Sequence, residues 1–214
     1  RTGNKWAALA TLLLDGFKGW MPLVLAKTYV LQNQFISMAE QAHLSEYSVW
    51  ASCAPWVIAG VALSAFAGHL WPVFFEFKGG KGVATAAGLL LGMHPLLGVI
   101  TLLTWISSAL LTRYSSLSAL IAAVLAPVYL IFGADYFWSQ GASLGVYASQ
   151  STGSSLEGDL RIESLISRAP WPLVIASSCM AVMLIYRHRE NIKRLLSGEE
   201  SKIFASKKVA PKGN

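Results

Sequence analysis

Apolar residues in this chain come in long unbroken runs rather than in the one-sided stripes of a soluble helix. Trp6 to Ala26 carries only Asp15 and Lys18 as charges, while Val49 to Ala67, Pro95 to Leu111, Leu117 to Phe132 and Pro172 to Tyr186 carry none. An apolar helix of roughly 20 residues matches the hydrocarbon thickness of a bilayer, so each run is predicted to span a membrane. Val83 to Gly92 is apolar over a much shorter stretch. At about 1.5 Å per residue it makes a helix of about 15 Å, half a hydrocarbon core, and predicts a re-entrant segment or a short span through a thin region. The expected fold class is all-α, a polytopic integral membrane helical bundle with about five or six hydrophobic segments.

Polar segments separate these runs. Lys27 to Tyr47 follows the first span, and a lysine-glycine loop follows the second. Gly133 to Ala169 is rich in Ser and Gly and reads as a long solvated insertion. A basic tail runs from Arg187 to Asn214; its early part suits an interfacial helix and its end suits disorder. The chain thus divides into an embedded core, 1–186, with 133–169 as an extracytoplasmic loop, and a cytoplasmic tail, 187–214.

Composition supports the membrane reading. Mean hydropathy is +0.50 and charged residues make up 13%, against about 25% in a soluble domain. Cys53 and Cys179 lie in apolar runs and read as small buried hydrophobes, with neither disulfide nor zinc spacing. The net charge of +6 does not call for nucleic acid, because basic residues beside spans are what a membrane surface requires. Counting crossings, with Val83–Gly92 and Pro95–Leu111 as a hairpin, puts thirteen of the seventeen basic residues on one face. Lys27, Arg161 and Arg168 fall opposite and Lys18 within a span. That asymmetry assigns the basic face to the cytoplasm. It also brings the lysine-glycine loop, the Tyr114-Ser115-Ser116 turn and the Arg187–Asn191 turn to one surface.

Those turns hold the candidate chemistry. In Lys78-Gly79-Gly80-Lys81-Gly82 the glycines permit positive φ and close approach of a ligand. Successive amides, the start of the next helix and two ammonium groups suit phosphate, although the Walker spacing is absent. The same residues would also serve as a flexible turn with snorkelling lysines. His188 and Asn191 share a helical face, as do Arg187 and Asn191; a neutral imidazole can act as base or donor, or the cluster can simply flank a span. Ser115 and Ser116 can bind phosphate oxygens or cap a helix. His69 can shape the loop or touch substrate, whereas His94, before Pro95, reads as structural. Asp15 and Lys18 are spaced to neutralise each other within a span.

Taken together these segments resemble the bacterial acyl-phosphate:glycerol-3-phosphate acyltransferase (PlsY) family. The family motif G-H-x-x-P-x-F-x-x-F-K-G-G-K-G-V-A-T is matched from Gly68 to Thr85. The motif R-H-x-x-N-I-x-R-L-x-x-G-x-E is matched by Arg187, His188, Asn191, Ile192, Arg194, Leu195, Gly198 and Glu200. Asp15-Gly16-Phe17-Lys18-Gly19 and Tyr114-Ser115-Ser116-Leu117 also look like family segments. The family's first motif, S-G-N-x-G-A-T-N, and the span before it are not in these residues, and Arg1 aligns with the arginine just after that motif.

The resemblance implies transfer of a fatty acyl group from acyl phosphate to glycerol 3-phosphate in a bilayer, giving lysophosphatidic acid and phosphate. It implies a monomeric inner-membrane enzyme with no metal or other cofactor. His188, Asn191 and Lys81 become the expected catalytic residues. Arg1, His69, Lys78, Gly79, Gly80, Gly82, Ser115, Ser116 and Arg187 become the expected substrate contacts. Two other readings stand beside it: an organophosphate or anion transporter, and an inactive remnant of the enzyme lacking its first motif.

Overall fold

The computed structural model describes residues 4–39, 44–133 and 170–203. Arg1 and most of the 133–169 loop lie outside them. Every regular element among the described residues is helical: α1 (Lys5–Ala39), α2 (Leu44–Leu70), a single 3-10 turn (Val73–Phe75), α3 (Val83–Met93), α4 (Pro95–Thr112), α5 (Ser115–Phe132), α6 (Trp171–Arg187) and α7 (Arg189–Leu196). Among the described residues four helices are long and apolar enough to cross a membrane, or five if the bent pair α6–α7 is one span. With the short α3, this is the expected membrane bundle.

Each run becomes a helix for local reasons. Asn4 Oδ1 accepts from the Trp6 amide at 3.0 Å and starts α1. Helix α1 does not stop at Lys27 but continues to Ala39, with neither proline nor glycine in Lys27–Ala39 to end it. Pro95 occupies the first turn of α4, where no amide is needed, and His94 Nδ1 accepts from Leu96 N at 3.2 Å, giving that histidine its structural role. Arg113, in left-handed conformation, ends α4.

Helix α3 is about 16 Å long at the standard rise and lies chiefly against α1. Small residues make that contact. A Cβ on Gly88 would sit 1.9 Å from the Gly16 carbonyl oxygen, and one on Gly19 would sit 2.4 Å from that of Thr85. Close backbone approach through glycine is how helices associate in lipid, where solvent offers no hydrophobic drive. At the other end Lys27, buried, donates its ammonium to the Met93 carbonyl, capping the last turn of α3.

Leu23, Ile58, Phe66, Leu89, Leu97, Leu130 and Leu173 form the centre of the bundle. Large apolar side chains such as Leu13, Leu14, Leu110 and Val182 point outward, as expected where lipid is the solvent. The same logic corrects the expectation for cysteine: Cys53 and Cys179 are both exposed, because an apolar run in a membrane helix has an outer face as well as an inner one.

Candidate active site

Three segments distant in sequence converge at one end of the bundle. The loop after α2 runs into α3; Gly82, at φ 81°, is the residue before its first turn. Among the loop glycines only Gly82 needs positive φ. Gly79 and Gly80 are required by contact: a Cβ on Gly79 would lie 2.2 Å from the His69 carbonyl, and one on Gly80 would lie 2.6 Å from His69 Nε2. The loop is therefore folded tightly onto the end of α2, and the first amides of α3 open beside it.

The two loop lysines separate. Lys81 Nζ reaches Asn191 Oδ1 at 2.6 Å. Lys78 pairs with Glu76 at 2.6 Å, both side chains 79% exposed, and stays outside the cluster. His69, its ring nearly buried, places Nδ1 3.9 Å from Asp15 Oδ1, and Asp15 holds Lys18 at 2.6 Å. The anticipated Asp15–Lys18 pair thus forms, and it also faces the histidine that supports the loop.

The chain bends by 61° between α6 and α7, so Arg187, His188 and Asn191 do not lie on one straight helix as their spacing suggested. The His188 amide is shared between the carbonyls of Leu184 and Ile185. Arg187 turns to the glycine loop, donating Nη2 to the Gly79 carbonyl and Nε to the Gly80 carbonyl. His188 is 2% exposed. Its Nδ1 lies 2.9 Å from the Leu184 carbonyl; a carbonyl only accepts, which assigns the proton to Nδ1 and leaves Nε2 with the lone pair.

Glu200 ties the segments together. Helix α7 ends in a Schellman arrangement: Gly198 has φ 74°, its amide donates to the Leu195 carbonyl and that of Glu199 to the Arg194 carbonyl. The reversal brings the Glu200 carboxylate back over α7. There it accepts from Ser116 Oγ at 2.6 Å, Asn191 Nδ2 at 2.7 Å and Arg194 Nε at 2.8 Å. Burial alone would raise the Glu200 carboxyl, but these donors outweigh it and hold the group at about 2. The segment beyond is fastened by the Ile203 amide on the Arg113 carbonyl at 2.7 Å and by Lys202 over the Tyr114 ring.

Lys81, Ser116, His188 and Asn191 are thus brought together, with Gly79, Gly80, Gly82, His69 and Arg187 around them. Ser116 is neither a cap nor free, since its hydroxyl serves Glu200. Ser115 is exposed at the start of α5. Reasoning from residue types passed over Glu200 and Arg194; their only sequence signal was membership of the matched motif. Among the described residues no three His, Cys, Asp or Glu side chains gather as metal ligands.

A groove of about 530 Å³ begins beside this cluster, its lining starting at Val83 and Ala84 and including Leu184, one turn before His188. Phe17 and Trp20 of α1, Leu91 of α3, Trp105 of α4 and Ala119 and Ala123 of α5 extend it. A polar cluster beside an apolar groove can hold a molecule with an anionic head and a hydrocarbon tail.

The glycerol-3-phosphate acyltransferase family model matches residues 1–198. A glycerol-3-phosphate acyltransferase of Burkholderia multivorans is 41% identical over 214 residues, which is all of this chain and 76% of that one. One of Bordetella petrii is 43% identical over 209 residues, 97% of this chain and 75% of its own length. Two crystal structures of PlsY (YgiH), an integral membrane glycerol 3-phosphate acyltransferase, superpose with a TM-score of 0.62. The lysophosphatidic acid form is 26% identical and covers 92% of this chain and 73% of its own; the glycerol 3-phosphate form is 27% identical and covers 94% and 72%.

Proposed function

The chain belongs to the glycerol-3-phosphate acyltransferase family, multi-pass membrane acyltransferases by kinship and fold, and on that premise we propose that it acylates glycerol 3-phosphate with acyl phosphate as donor. The observation that carries this reading is the Lys81–Asn191 contact beside the glycine loop, next in the chain to Val83 and Ala84, which line an apolar groove. Both substrates bear phosphate, and only the donor bears a long tail. The groove takes the tail. Lys81, the loop amides and the first turn of α3 take phosphate.

In the reaction a hydroxyl oxygen of glycerol 3-phosphate attacks the acyl carbonyl carbon. The bond from that carbon to the phosphate oxygen breaks, and inorganic phosphate leaves with its electron pair. The hydroxyl proton goes to His188 Nε2, the basic nitrogen of the tautomer fixed by Leu184, or to a phosphate oxygen of the substrate. Developing negative charge lies within reach of Lys81 and the loop amides. Phosphate is a good leaving group, so no protein nucleophile is needed. Asn191 links Lys81 to Glu200 and positions the acceptor with His188; Arg1 is assigned to the same acceptor. Exposed Lys78 can add long-range attraction for phosphate, and exposed Ser115 can offer a short-range hydroxyl contact. The density of basic residues supports a cytoplasmic orientation of this face in a bacterial inner membrane.

The test uses membranes bearing the chain, with acyl phosphate and glycerol 3-phosphate. Phosphate release and lysophosphatidic acid formation that require both substrates support the enzyme. Movement of glycerol 3-phosphate across the membrane without acyl transfer would overturn it in favour of a carrier. A form extended by the family's first motif, assayed in parallel, separates an inactive fragment from a wrong reading.

A further inference from the structure

Arg187 was expected to touch substrate; in the structure two of its five guanidinium donors serve backbone carbonyls. One fork spans two successive carbonyls, Gly79 through Nη2 and Gly80 through Nε, the latter at 3.2 Å. The peptides that follow these carbonyls are trans, as are all those described. In a planar trans peptide the N–H points opposite to the C=O. Fixing the carbonyls of Gly79 and Gly80 toward Arg187 therefore fixes the amides of Gly80 and Lys81 away from it.

The loop has little freedom to escape this. Gly79 lies against the carbonyls of His69 and Leu70, and Gly80 lies against the His69 ring, with no room for even a methyl group at either place. Arg187 approaches from α6, and its position is set by the chain break at His188. A cation on a carbonyl oxygen also polarises the peptide and strengthens its N–H as a donor. Glycines alone would leave this segment free to turn its carbonyls toward an anion, which would repel it.

We propose that Arg187 is a positioning residue, which aims the Gly80 and Lys81 amides at an incoming phosphate group by holding the carbonyls behind them. This rests on the reading of the loop as a phosphate site for acyl transfer. It does not require Arg187 to meet either substrate. Lysine is no substitute, because a single ammonium lacks the planar fork that bridges two acceptors.

The experiment compares wild type, Arg187→Lys and Arg187→Gln in lipid nanodiscs, with Arg189→Gln as control. Arg189 is an exposed neighbour that lies over the Tyr186 ring. Amide hydrogen exchange across residues 78–82 is followed first without substrate, then with inorganic phosphate as probe. In both Arg187 variants exchange should speed up without substrate, and phosphate protection should fall at least tenfold in concentration dependence. Steady-state assays should show KM for one phosphate-bearing substrate raised about tenfold with kcat less affected. Separate titrations of glycerol 3-phosphate and acyl phosphate identify which phosphate uses the loop. Arg189→Gln should change none of these. If KM rises while substrate-free exchange is unchanged, Arg187 contacts substrate and the proposal fails; if exchange and KM are both unchanged, the loop holds itself and the proposal also fails. The exchange measurement needs no turnover, so it reads the clamp even if acyl transfer were absent.

Discussion

Lys81 Nζ and Asn191 Oδ1 lie 2.6 Å apart although 110 residues separate them in the chain. The contact joins the glycine loop to α7, two residues before Val83, which lines the apolar groove. Lys81→Ala is expected to lower kcat/KM about a hundredfold, the scale of losing one preorganised charge-stabilising donor. Lys208→Ala, in the basic tail outside the described residues, should change it less than about twofold. Steady-state kinetics on purified variants decide; equal losses would reduce the loop to a charged flank.

Glu200 accepts three hydrogen bonds from three segments. Glu200→Gln loses the charge and presents an amide donor to at least one of the groups now donating to it. Charge-assisted hydrogen bonds contribute about 1.5–3 kcal/mol each, so thermal unfolding in detergent should show destabilisation of at least that order.

The same carboxylate gives a pH signature. Its folded value of about 2 lies below the ordinary 4.5, so the unfolded chain binds the proton more readily. The stabilisation is fully present above about 4.5, falls as pH drops below that value, and is gone near pH 2. Unfolding free energy of wild type should therefore fall across this acid window, and the Glu200→Gln variant should show a shallower slope there.

Gly88 and Gly60 separate packing from propensity. A Cβ on Gly88 meets the Gly16 backbone at 1.9 Å, whereas one on Gly60 meets nothing within 4 Å. Gly88→Ala must push α3 away from α1, at a cost of about 1–3 kcal/mol, and should raise KM by shifting the loop that α3 anchors. Gly60→Ala should leave KM unchanged and stabilise α2 by up to about 1 kcal/mol through helix propensity alone. Unfolding midpoints and KM of the two variants, measured side by side, give the comparison.

Lys27→Met tests the opposite end of α3. The substitution keeps the stem but leaves the Met93 carbonyl without the ammonium that now caps it. An unsatisfied buried acceptor costs about 1–3 kcal/mol, and Lys27→Arg should recover part of it. Unfolding in detergent measures both.

The apolar runs by themselves determined that the chain lives in a bilayer, roughly where its spanning helices lie, and that Val83–Gly92 makes only a short helix, re-entrant or crossing a thin region. Their length and composition answer to one requirement, satisfying backbone polar groups in hydrocarbon. Residue types at the turns also made Lys81, His188 and Asn191 candidates: histidine and asparagine exceed what a flank needs, while Lys81 stood out only by its glycine-rich setting. Tertiary structure alone decided which face of each helix is inside, since lipid and protein core are equally apolar; Cys53 and Cys179 went outward for that reason. It also decided that Lys81 enters the site while Lys78 faces outward, that Arg187 serves backbone carbonyls and that Glu200 binds Ser116 across 84 residues. Such contacts depend on the direction in which a bent helix or a glycine reversal aims a side chain, and local spacing carries no record of that direction.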